Sequence, residues 1–192
     1  MFDFDTDHFN KIFSQLLKTN TFDQIFETVF MPFLKEIGVL WHLGTIDVSH
    51  ERFVSELIKR KTIEHIGFYS SRARKYNTKT RVCLFLPFEE IHDIGLIYAN
   101  YILEKSGIKT TYLGPNIPLE SLSKQFYKNG NLLFVTFFTT KPDNDSIKSY
   151  LDCYQKIVCG KEKYPLWILG QKYSEVQKHN TASNIVCFDH FK

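Results

Sequence analysis

The stretch LPFEEIHDIG, Leu86 to Gly95, decides how the rest of the chain is read. It continues an apolar run of strand length, Val82 to Leu86, and sets three carboxylates (Glu89, Glu90 and Asp93) around one histidine before closing on glycine. Negative charge at a helix start is favoured by the macrodipole at roughly 0.3–1 kcal/mol per group, so the carboxylates alone require no ligand. The histidine adds something. A neutral imidazole can hold a metal through one nitrogen while a nearby carboxylate fixes its other N–H, and Glu90 precedes His92 by two positions. Gly95 would let a bulky group approach the helix backbone. The choice between these readings turns on what kind of sheet the preceding strand joins.

The sequence after that strand alternates. Short β-branched or aromatic runs at Val82–Leu86, Thr110–Leu113, Leu132–Thr136, Leu166–Leu169 and Asn184–Phe188 are separated by helical patterns near 91–106, 118–128, 143–158 and 172–179. This alternation predicts a parallel sheet with right-handed crossovers. Open sheets of that kind bind ligands outside the carboxyl ends of their strands, which is where His92 falls. YLGPNIP, Tyr112 to Pro118, reads as a rigid loop after the second strand, and VTFFTT, Val135 to Thr140, ends the third strand in hydroxyls.

Before residue 77 the pattern is helical throughout. Phe9, Ile12, Phe13, Leu16 and Leu17 recur at helical spacing, and a longer apolar face runs from Phe22 to Trp41 with Pro32 inside it, predicting a kink or short interruption. Gly44 suits a helix C-terminus. A further helix begins with Asp47 or Ser49 as its N-cap. The expected organisation is therefore a helical bundle over 1–76 and an α/β domain over 77–192, with the helical half as a lid.

Composition narrows the function classes. Of 192 residues, 43% are hydrophobic and 18 are Phe, enough for packed cores. A net charge of +3 is too small to imply nucleic-acid binding, and the densest basic run, Arg72 to Arg81, is broken by turn formers and reads as a linker. Cys83, Cys153, Cys159 and Cys187 form no CxxC pair and are expected to be reduced thiols. The acidic N-terminus lacks a signal-peptide pattern and no apolar run is long enough to span a membrane, so a cytoplasmic location is expected. HExxH, GxGxxG, P-loop and GxSxG patterns do not occur.

Together these residues resemble the cobalamin-binding module of MerR-type transcriptional regulators, including the light-sensing adenosylcobalamin repressors, over roughly residues 20–192. Trp41 and Glu51 have nine residues between them as in that family's Trp-x9-Glu-His motif, Glu90-x-His92-x-x-Gly95 matches its E/D-x-H-x-x-G loop, and GLIYANYILEKSGIKTTYLGPNIP is similar to the helix and strand that follow. The resemblance implies a helical bundle followed by a Rossmann-like, flavodoxin-like sheet that binds cobalamin. It makes His92 the ligand to cobalt, with Glu90 behind it. It further implies contacts from Trp41, His42 and Glu51 above the corrin, from Gly114 and Pro115 after the second strand, and a nucleotide tail running past Gly95, Thr136 and Gly170. The family's regulators assemble as homo-oligomers and reach DNA through a winged-helix domain, for which no candidate segment occurs in these residues. The motif histidine is Arg52 here, a serine is Thr136, and a second glycine is Gln171, placing a side chain where the tail would need space. These departures open an alternative, a cofactor-free dimerisation or effector module on the same fold. A corrinoid methyl carrier is the remaining, less favoured reading.

Overall fold

A computed structural model describes residues 4–70, 79–122, 131–160 and 164–189. The chain divides into two compact units, Met1–Gly67 and Phe68–Lys192. This division lies earlier than residue 76, within the last helix of the first unit.

In the helical unit, α1 (Thr6–Leu16) is capped by Asp5, whose side chain accepts from the His8 N–H at 2.8 Å. α2 (Phe22–Ile25) opens with a capping box between Thr21 and Gln24, which satisfies two end donors reciprocally. It passes without a break into a π-helical turn, Phe26–Phe30, and then α3 (Met31–His42). Pro32 explains the wider turn: it has no N–H for the carbonyl four residues back, and its ring would collide with that carbonyl in a regular helix. The expected interruption thus falls just ahead of the proline. α3 ends with Gly44 at φ +69, the Gly44 N–H donating to Trp41 and the Thr45 N–H to Leu40, a pairing that a left-handed residue makes possible. Asp47, rather than Ser49, caps α4 (Val48–Ser70), accepting from the Ser49 N–H at 2.8 Å. The unit's core is aromatic. Phe9, Phe13, Phe22, Phe26 and Phe30 are all buried, and His65 stacks on Phe22 with ring centres 4.0 Å apart.

The second unit is a five-stranded parallel sheet in the order β2-β1-β3-β4-β5. Its strands are β1 (Arg81–Pro87), β2 (Thr110–Ile117), β3 (Leu132–Phe137), β4 (Leu166–Leu169) and β5 (Ile185–Phe188). Between them lie α5 (Ile94–Lys105), α6 (Ile147–Cys153, continued by a π-helical stretch to Cys159) and α7 (Tyr173–His179). This is the flavodoxin-like order, whose switch point lies between β1 and β3. Both central strands are buried on two faces, which is why they read as continuous apolar runs. Cys83, Phe85 and Phe134 pack with Ile147, Leu151 and Leu166 on one side. Val82, Leu84, Leu86, Val135 and Phe137 pack with Leu96 and Ala99 on the other.

Two expectations change. Tyr112–Ile117 is not a loop: β2 continues through it, pairing Phe85 with Gly114 and Pro87 with Ile117 across two register shifts. Gly114 at φ +84 and Asn116 at φ 61 accommodate the irregularity, and Pro115 is tolerated because β2 is the sheet's edge strand. Of the helix expected over 118–128, the described part is a single 3-10 turn, Leu119–Ser121; residues 123–128, like residues 72–78 of the expected linker, lie outside the described residues. All four cysteines are unpaired in disulfides. Among the described residues, no helix is long and apolar enough to cross a membrane.

Candidate functional site

The loop from β1 to α5 turns sharply. The Glu90 N–H reaches back to the Pro87 carbonyl at 3.0 Å, with Glu89 left-handed at φ 64. The edge strand holds this turn, the Asn116 side chain accepting from the Glu89 N–H at 2.9 Å. The result is that Glu90 points inward. It is fully buried, and every lone pair has a use. Oε1 accepts from the N–H groups of Ile91 at 2.9 Å and His92 at 3.0 Å, and from His92 Nδ1 at 2.6 Å. Oε2 accepts from the N–H groups of Thr139 at 3.2 Å, Thr140 at 2.6 Å and Lys141 at 2.8 Å, in the loop after β3. The Thr140 hydroxyl also donates to the carboxylate, at 3.2 Å.

Glu90 is therefore not a helix-start decoration. It ties together the two loops on either side of the switch point. Burial alone would push its pKa up; the His92 ring and the N–H groups of Lys141, His92 and Thr140 outweigh burial and hold the carboxyl well below the usual range. An ionised Glu90 accepting from the ring keeps a proton on His92 Nδ1. The His92 side chain is 51% exposed, and Phe88 and Ile91 on the same loop are exposed apolar side chains. A buried carboxylate behind an oriented, accessible imidazole is the arrangement that prepares a metal ligand. Among the described residues, no three His, Cys, Asp or Glu side chains converge on a metal position.

The other expected residues divide between the two units. In the sheet unit, Thr136 is fully buried, and among the described residues its hydroxyl has no hydrogen-bond partner, an orphan of the kind a bound group would satisfy. Gly95 and Gly170 have tenants from the chain itself. A Cβ on Gly95 would lie 3.0 Å from the Phe137 ring, and one on Gly170, at φ +113, would lie 2.6 Å from the Phe138 carbonyl oxygen. Gly114 and Pro115 serve the irregular end of β2, and Gln171 is exposed. In the helical unit, Trp41 is 48% exposed, and His42 stands in the last turn of α3. Glu51 accepts from the Ser55 hydroxyl at 2.6 Å and lies 3.8 Å from Arg52. Sequence reading missed the loop Thr139–Lys141 as the second anchor of Glu90. Its only signal was the hydroxyl run at the end of the third strand.

Residues 1–63 match the model of a B12 binding domain family. That match covers the helical unit and stops short of the Glu90–His92 loop. The HTH-type transcriptional repressor CarH of Myxococcus xanthus is 28% identical over 99 residues, 52% of this chain and 31% of that protein, so the chain spans about a third of the length of this relative. Among solved structures, the monomethylamine corrinoid protein of Methanosarcina barkeri shares the fold, with a TM-score of 0.72 at 13% identity over 90% of this chain and 82% of that one.

Proposed function

We propose that this chain binds a cobalamin-type corrinoid in its sheet unit, with His92 as an axial ligand to cobalt. In this reading it serves as the sensory part of a MerR-like transcription regulator rather than as a catalyst. The observation that carries the proposal is the Glu90–His92 pair, which sets a half-exposed imidazole, held through Nδ1, at the carboxyl edge of β1. The donor set fits: a single oriented imidazole suits a metal already held by a macrocycle, exposed Phe88 and Ile91 suit a broad apolar ligand, and the Thr136 hydroxyl awaits a polar partner. The family match and the similarity to CarH support the same direction. When bound, the corrinoid would supply a cobalt centre that His92 would hold. The chain's own part is to hold the imidazole and keep its proton on Nδ1. Occupancy would control assembly of a homo-oligomer in the cytoplasm, with DNA contacted through a separate domain.

The test is titration of the wild-type chain and His92→Ala with hydroxo-, methyl- and adenosylcobalamin, followed by desalting and visible spectroscopy. Wild type should retain a coloured complex whose spectrum reports histidine coordination, and the variant should lose that signature. Colourless wild-type protein with all three forms would sink the proposal. It would favour the second reading, a cofactor-free module, for which the Phe137 ring seated against Gly95 speaks. Methyl transfer from the loaded protein to a thiol or folate acceptor would instead mark a methyl carrier.

A further inference from the structure

We infer that Lys172 is a positioning residue for the Glu90–His92 pair, acting through the loop after β3. This rests on the reading of His92 as a ligand. Three of the five backbone N–H groups that hold Glu90 belong to Thr139, Thr140 and Lys141, and Lys172 grips the chain on both sides of them. On the near side its backbone N–H donates to the Phe138 carbonyl at 3.3 Å, next to the Phe138 N–H that donates to Leu169 at 2.8 Å. On the far side its ammonium donates to the Pro142 carbonyl at 2.7 Å and to the Asn144 side-chain oxygen at 3.0 Å.

The close approach needs Gly170, whose absent side chain leaves room for the Phe138 carbonyl 2.6 Å from the Cβ position. A five-residue arc, 138–142, is thus pinned at both ends by one residue of the β4–α7 connection. Its three central N–H groups are left aimed at Glu90. Backbone so restrained has already lost the freedom that would otherwise oppose this convergence. The ammonium is suited to the task because its rotatable donors meet two convergent oxygens on one stem. Lys172 does not touch His92; its effect passes from loop to carboxylate to imidazole.

The NMR and hydrogen-exchange measurements use the 192-residue chain without cobalamin, and affinity is measured separately by titration. His92 is followed by nitrogen-15 NMR at one neutral pH, where ring-nitrogen shifts report the tautomer, and the Thr140 and Lys141 amides are followed by hydrogen exchange. Lys172→Met should turn the single Nδ1–H tautomer into a mixture and speed exchange at both amides, while Lys172→Arg should restore part of each. Cobalamin affinity of Lys172→Met should fall about tenfold, at the lower end of what outer-shell partners of a metal ligand contribute. Asn144→Ala, which removes one ammonium partner at an exposed site, should move the same signals less and serves if Lys172→Met does not fold. An unchanged tautomer and unchanged amide protection in a folded variant would overturn the inference. Failure of wild type to bind cobalamin, with those signals shifted in the variant, would reject the ligand reading and leave the positioning role standing.

Discussion

Glu90→Gln isolates the charge that holds the two loops together. The amide keeps one acceptor oxygen and replaces the other with a donor. If the NH2 takes the place of Oε2, the N–H groups of Thr139, Thr140 and Lys141 face a donor. If it takes the place of Oε1, those of Ile91 and His92 and the His92 ring do. Because the imidazole can change tautomer and accept instead, at least two backbone hydrogen bonds to a carboxylate are lost either way, each worth roughly 1.5–3 kcal/mol net. Water readmitted at the exposed His92 offsets part of this, so a loss of about 3 kcal/mol is expected. Because the folded carboxyl is held far below its ordinary value, Glu90's contribution is fully present above the unfolded glutamate pKa of about 4.3 and is lost as pH falls below it. The gap between wild type and variant should accordingly narrow in acid. Urea unfolding in a Trp41→Phe background measures both effects, since Trp167 on β4 is then the sole tryptophan and reports the sheet unit. A difference under about 0.5 kcal/mol at neutral pH, the range of an ordinary surface change, would refute the view that Glu90 joins the loops.

Gly170→Ala forces a Cβ to within 2.6 Å of the Phe138 carbonyl at a φ of +113 and should cost about 3 kcal/mol, read as a lower melting temperature. Thr136→Val removes an unpartnered buried hydroxyl. Without cobalamin the variant should be as stable as wild type or up to about 1 kcal/mol more so, while calorimetric affinity for cobalamin should drop if that hydroxyl serves the ligand. Gly44→Ala strains the left-handed end of α3 and should cost about 1 kcal/mol in unfolding followed by Trp41 fluorescence.

Much of this architecture is legible in residue order because the physics behind it is local. β1 and β3 are buried on both faces, so their apolar runs are uninterrupted, and Thr21 with Gln24 writes a helix start within four residues. The second half of β2 is not legible. Gly114-Pro115-Asn116 has turn composition, and only pairing with β1 across the sheet edge makes it strand. The Glu90–His92 pair shows itself through a spacing of two. Its other anchor, Thr140, lies 50 positions away, and Lys172 stands 30 from the carbonyl it holds. Neither distance leaves a trace in periodicity or spacing.

The glycines carry the sharper lesson. The resemblance makes Gly95 and Gly170 room for a ligand, yet the chain uses both. Gly170 is filled by backbone, which has no second position while Phe138 and Leu169 remain paired, so that space is closed for good. Gly95 is filled by an aromatic side chain, the Phe137 ring, 3.0 Å from where a Cβ would lie. Gln171, the residue whose side chain was expected to intrude, is exposed and intrudes on neither. Under the proposed reading, any group entering beside Gly95 would have to displace the Phe137 ring. That ring packs in the core with Leu84, Leu86 and Val135, so displacing it would cost packing energy. Binding there would then be coupled to a change of core packing.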